Sequence, residues 1–316
     1  MNNISSLVLE VLGITVPIFV VIALGYLIRR KGIINDGGVQ GLNKIAYYIG
    51  LPALILISII QYDLSEIFDA SILWVIYSAY FIYLIIIISA VIFTKMNGRA
   101  KGAFIVSAYR CNMAFIGFPI IISAYSGLAL AKASLVVAFL VPVNIVSTVI
   151  LFRIFDRSQE SISKRKLLVD LALDPLILSA VLGIVISYVN IDIPRPVNSV
   201  LDILSSMVIG LALLAIGASF KFFHVRSNIK LLALISAAKL ILMPAIAFIM
   251  AEFVFGLGSL DRNIVVILFS MPLAVAAYIM ARQYRSDADL VSSSLIITTV
   301  VSSITISLWL LVLKLV

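Results

Sequence analysis

Ten consecutive positions, Arg110-Cys-Asn-Met-Ala-Phe-Ile-Gly-Phe-Pro119, set an arginine, an asparagine, a glycine and a proline inside an otherwise apolar run. Arg110 brings a fixed positive charge. Asn112 brings an amide that can donate two hydrogen bonds to a carboxylate or accept from a protonated one. Pro119 lacks an N–H and clashes with the preceding helical turn. With Gly117 it reads as a helix break. A break frees backbone groups and points a new helix N-terminus, partly positive, at the middle of the segment. A second proline, Pro272, sits about ten residues into a later apolar segment, with Tyr278 six positions beyond it. Corresponding interruptions of this kind point to a transporter's binding site. Lys239 is a second embedded cation, and Asn144 a second embedded amide. Together these residues could hold an anion. Structural duties are open to each of them: Arg110 can pair with carbonyls freed by the break, Asn144 can bond between helices, Tyr278 can pack, and the prolines can simply kink. Cys111 reads as a small packing residue.

The segments that carry these residues are membrane helices. The chain has 316 residues, 63% hydrophobic and 12% charged, with a mean hydropathy of +1.21. A soluble domain carries roughly a quarter charged residues, so a soluble globule is excluded. Apolar runs of about 20 residues recur, each able to cross a hydrocarbon core of about 30 Å, and helices satisfy their own backbone groups there. Ten spans are expected, near residues 7–28, 38–60, 71–94, 102–126, 131–152, 170–190, 198–220, 229–252, 263–284 and 290–313. The first lacks the basic leader of a cleaved signal peptide and reads as a true span. One cysteine excludes an internal disulfide, and one histidine, His224, excludes a histidine metal cluster. No cofactor is expected.

Embedded charge costs at least about 2.5 kcal/mol on insertion scales, which makes a central cation a functional candidate. Arg110 is roughly 14 Å into its span at about 1.5 Å per residue, and Lys239 is about as deep. Lys44, nearer a span end, can snorkel. Asp63, Glu66 and Asp69 fall in a connection, and Glu10, Asp170, Asp174, Asp202, Glu252, Asp261, Asp287 and Asp289 fall near span ends. Cations without central carboxylates imply a negative cargo.

The net charge of +8 suits basic cytoplasmic connections better than a nucleic-acid partner. The odd-numbered connections hold Arg29 to Lys31, Lys95, Arg99, Lys101, Arg153, Arg157, Lys164 to Lys166, Lys221, Arg226, Lys230, Arg282 and Arg285. The even ones hold Lys132, Arg195 and Arg262. A multi-pass protein of the cell membrane with both termini outside is expected. Two inverted sets of five spans fit the pattern. Pro17 pairs with Pro175, Gly50-Leu-Pro-Ala-Leu54 with Gly210-Leu-Ala-Leu-Leu214, and Pro119 with Pro272. Pro142 and Pro244 lack mates. The expected organisation is a first repeat over 1–155, a short cytoplasmic linker over 156–168 and a second repeat over 169–316.

These segments resemble the auxin efflux carrier family of prokaryotic transporters and, more distantly, plant PIN proteins. The resemblance is carried by Pro17-Ile-Phe-Val-Val-Ile-Ala-Leu-Gly-Tyr26, Gly41-Leu-Asn-Lys-Ile-Ala-Tyr-Tyr-Ile-Gly-Leu-Pro-Ala-Leu54, Arg110-x-Asn-x-x-Phe-Ile-Gly-x-Pro119, Gly210 to Ser219 and Met271-Pro-Leu-Ala-Val-Ala-Ala-Tyr278. It implies an all-α membrane protein of ten transmembrane helices in two inverted five-helix repeats, like NhaA and the bile acid symporters. Helices 4 and 9 would be broken and would cross. It also implies organic-anion transport by an elevator-like motion against a scaffold of helices 1, 2, 6 and 7, through which family members form homodimers. The family's crossover asparagine maps onto Asn112 and its prolines onto Pro119 and Pro272. Many relatives have an asparagine after the second proline, where this chain reads Ala274-Val-Ala-Ala277.

The leading expectation is a carrier of small organic anions within the lipid bilayer. A sodium-coupled symporter of the bile acid type is the near alternative, and the coupling ion, H+ or Na+, stays open. A receptor or sensor without flux is the alternative of another class. A membrane enzyme is disfavoured, because no Asp-rich motif or histidine cluster is present.

Overall fold

A computed structural model describes residues 2–125, 127–155, 164–220 and 229–316. Most of the expected linker, His224 and the basic residues Arg157, Lys221 and Arg226 lie outside the described residues. The fold is helical throughout. Besides the single turn Leu64–Ile67, its helices are α1 (Asn2–Arg30), α2 (Asp36–Ile60), α3 (Ala70–Ile92), α4 (Gly98–Tyr109), α5 (Met113–Ala124) and α6 (Gly127–Phe155). They continue as α7 (Lys164–Ala172), α8 (Pro175–Val189), α9 (Arg195–Ala218), α10 (Ile229–Val254), α11 (Ser259–Phe269), α12 (Val275–Gln283) and α13 (Ala288–Leu315). Seven helices among the described residues are long and apolar enough to cross a membrane. Their outward faces are covered with large apolar side chains. In α1, Leu9, Leu12, Val16, Val20, Leu24 and Leu27 are exposed while Val11, Ile14, Ile18 and Ile22 are buried. In water such a surface would aggregate; against lipid it is matched.

The described chain forms two compact units, each drawing on both halves of the sequence. The first comprises 1–70, 114–141 and 164–220, and the second 71–113, 142–163 and 221–316. In the first unit α1 packs on α9 through small residues. A Cβ on Gly25 would meet the Leu214 backbone, and one on Gly217 the Ile22 carbonyl. The helices approach so closely that only hydrogen fits, the usual way membrane helices gain packing energy. Asp174 precedes Pro175, which holds it extended at ψ 123°. Its carboxylate caps the N–H groups of Leu176 and Ile177 and accepts from Tyr47. The sixth span therefore starts at Pro175, not near 170, and α7 is a separate short helix.

Prolines also shape the long helices. Widened π turns at Ala46–Gly50, Met113–Gly117 and Ala238–Leu242 lie just ahead of Pro52, Pro119 and Pro244. A proline ring collides with the carbonyl four residues back, and a π turn moves that carbonyl away. Pro119 is thus absorbed in the first α turn of α5. It does not sit at the interruption, contrary to the expectation from sequence.

Gly217→Val is expected to destabilise the protein by about 1–3 kcal/mol through overpacking. A lower thermal midpoint in detergent checks this. Gly13→Ala, which meets nothing within 4 Å, should leave the midpoint unchanged.

Candidate functional site

The site lies in the second unit, where two helices stop and restart. Helix α4 ends at Tyr109, and the chain runs extended through Arg110 (φ −76°, ψ 105°). Helix α11 ends at Phe269, and the chain resumes as helix at Val275. The two gaps pair with each other as a short antiparallel bridge between Cys111 and Leu273. Asn112 N–H donates to the Pro272 carbonyl at 2.8 Å, and Ala274 N–H donates to the Arg110 carbonyl at 3.1 Å. Leu273 N–H donates to Thr298 Oγ1 of α13 at 3.2 Å. Pro272 has no N–H, so it suits a position that only accepts. An unpaired backbone group in a hydrocarbon core costs several kcal/mol, and these contacts pair the gap's backbone groups instead.

Side chains alternate along an extended segment. Arg110 and Asn112 therefore share one face and Cys111 takes the other. Arg110 is half-buried. Its guanidinium donates from Nη1 to Thr148 Oγ1 at 3.1 Å and to Met280 Sδ at 2.7 Å, both neutral. Among the described residues it has no carboxylate partner. Arg262 is different: it is 4% exposed and paired with Glu252 at 2.7 Å. Asn112 is 6% exposed, and its Nδ2 has no acceptor among the described residues. A half-buried cation without a counter-ion beside an unanswered buried amide is an arrangement that suits a carboxylate.

The other expected residues fall as follows. Asn144 is buried and reaches the site through its backbone, whose carbonyl accepts from Thr148 at 2.6 Å and Tyr109 at 3.3 Å. Tyr278 is half-buried on α12. Helix α12 has Ala274 as its cap residue and no side-chain cap, so no side chain covers its first N–H groups. Lys239 is fully buried on the Cys111 side, with Nζ 3.2 Å from the Tyr109 carbonyl and 2.6 Å from Cys111 Sγ. Gly117 and Pro119 are buried in the first unit, on α5. Thr148, Met280 and Thr298 were not foreseen. Thr298 lies in a run of serines and threonines in α13, which was the available signal.

The first unit also has an open pocket of about 300 Å³, lined by Gln61, Tyr62, Asp63, Glu66, Asn190 and Asp192 among others. Three carboxylates there repel an anion, so it does not compete with Arg110 for one.

Long apolar helices interrupted at paired, polar gaps define a multi-pass membrane protein of the transporter class. The sequence profile of the family described as membrane transport protein matches residues 11–310, and the chain belongs to that family, the one that includes the PIN auxin efflux carriers. It is similar to an uncharacterized transporter of Methanocaldococcus jannaschii, at 23% identity over 94% of this chain and 97% of the relative. It is similar to a putative malonate transporter of Rhizobium meliloti, at 22% identity over 94% of each chain. The uncharacterized transporter YfdV of Escherichia coli K12 is 23% identical over 96% of this chain and 98% of its own length. The family and these relatives are transporters, not enzymes.

Thr298→Val leaves the Leu273 N–H without its acceptor and should destabilise the protein by about 1–3 kcal/mol. Thr298→Ser should recover most of the thermal midpoint.

Proposed function

We propose that this protein is a secondary transporter that carries small organic anions, carboxylates in particular, by elevator-like alternating access. The observation that carries the reading is the face shared by Arg110 and Asn112. It presents a guanidinium with no carboxylate partner and a buried amide with no acceptor. A carboxylate would complete both, helped by the uncapped start of α12. The relative named for malonate makes a short dicarboxylate the first candidate to test.

In this reading the interrupted pairs α4–α5 and α11–α12 are the fourth and ninth of ten spans, and they cross at the paired gaps. Residues 1–155 and 169–316 are inverted repeats joined by the 156–168 linker. Both termini face outward, as the basic connections indicate. The scaffold of spans 1, 2, 6 and 7 (α1, α2, α8 and α9), with its close Gly25 and Gly217 packing, serves as the fixed frame and the homodimer contact. Gly117, Pro119 and Pro272 act by shaping the backbone, and Asn112, Arg110 and Tyr278 by facing the cargo.

The test is uptake of labelled malonate and other short carboxylates into proteoliposomes, paired with thermal midpoints in the same carboxylates. Binding to the folded state raises the midpoint by mass action. Asn112→Ala should lower uptake at least about tenfold, the effect of losing a hydrogen bond to charge worth roughly 1.5–3 kcal/mol, without moving the ligand-free midpoint much. Arg110→Gln should weaken carboxylate affinity by a similar factor. Intact protein that moves no organic anion would sink the reading.

A further inference from the structure

Lys239 is enclosed by protein. It sits in the π turn Ala238–Leu242 of α10 and is 0% exposed. Its Nζ donates to the Tyr109 carbonyl at 3.2 Å, to Cys111 Sγ at 2.6 Å and to Met243 Sδ at 3.3 Å. Among the described residues no carboxylate pairs with it. Tyr109 is the last residue of α4, so its carbonyl belongs to the partly negative end of that helix. Cys111 is the residue that bridges to Leu273. One ammonium thus touches the end of α4 and the middle of the paired gap, from the face opposite Arg110 and Asn112.

Carbonyls freed at a helix interruption are where a transporter commonly seats a coupling cation. A bound cation neutralises the helix end and fixes the geometry of the segment that follows. Here those tasks fall to a side chain. We propose that Lys239 is a positioning residue, a built-in cation standing where a coupling ion would otherwise bind. It holds the Arg110–Asn112 segment ready for the anion without any free metal ion. This rests on the carrier reading for its functional consequence, and it makes a sodium requirement unnecessary. The sulfur partners fit this assignment: thioether and thiol groups are only weak acceptors for an ammonium, but they are poor ligands for a hard cation such as sodium.

The test replaces the side chain and returns its missing piece. Wild-type protein should show the same thermal midpoint and the same uptake in sodium, potassium and choline chloride. Lys239→Ala should have a lower midpoint and uptake reduced at least about tenfold, the scale on which sub-ångström to 1 Å misplacement acts. n-Propylammonium, which matches the deleted atoms, should raise the midpoint of Lys239→Ala and restore part of its uptake, while n-propanol does neither. Lys239→Met, which keeps the bulk and removes the charge, should fold yet fail to transport. Wild-type uptake that needs sodium, or a Lys239→Met variant that transports normally, would overturn the proposal. If wild-type protein moves no carboxylate, the carrier reading fails by itself. The thermal arm then still decides the part of Lys239: propanol matching propylammonium on Lys239→Ala overturns it, and ammonium-specific stabilisation upholds it.

Discussion

Backbone hydrogen bonding where helices break in a membrane protein is the constraint on which this structure turns. A helix that stops inside the hydrocarbon region leaves carbonyls and N–H groups that no water can satisfy. The second unit stops two helices, and each gap answers the other. Asn112 N–H meets the Pro272 carbonyl and Ala274 N–H meets the Arg110 carbonyl. Thr298 takes the Leu273 N–H and Lys239 takes the Tyr109 carbonyl. With the backbone satisfied in this way, extended chain can exist there. Extended chain in turn separates alternate side chains onto two faces, one held by Lys239 and one carrying Arg110 and the Asn112 amide, whose Nδ2 has no acceptor among the described residues.

The charges follow the same division. Arg262 is neutralised by Glu252 and lies over the Phe248 ring. Asp174 is spent on capping α8 and on Tyr47. Those groups are structural, and each has its opposite or its donor. Arg110 and Lys239 have no carboxylate among the described residues, yet they differ from each other. Lys239 is enclosed by a carbonyl and two sulfurs, whereas Arg110 is half-buried with neutral partners. Cations without carboxylate partners are costly inside a membrane protein, which is why these two stand apart from Arg262.

Much of this was legible in the sequence, for definite reasons. Long apolar runs announced membrane helices, and Arg110, Asn112 and Lys239 stood out because polar groups are expensive there. The position of the first interruption was not legible. Pro119 marks a missing donor, but a π turn ahead of it absorbs that defect. The actual gap falls at Arg110 to Asn112, where Pro272 and Ala274 supply partners from a distant part of the chain. The partners of Lys239 were hidden for the same reason: Tyr109 and Cys111 are more than 120 residues away. The start of α8 was displaced by a local rule that could have been applied, since Asp174 before Pro175 is both a boundary and a cap.

Amide hydrogen exchange resolved to short peptides tests the central claim most directly. The comparison is between ligand-free protein and protein saturated with the carboxylate that gives the largest thermal shift. If the paired gaps hold the anion, added protection should appear in peptides covering 108–115 and 270–276, with little change around Asp63 and Asp192. Protection elsewhere, with both gaps unchanged at saturation, would contradict it.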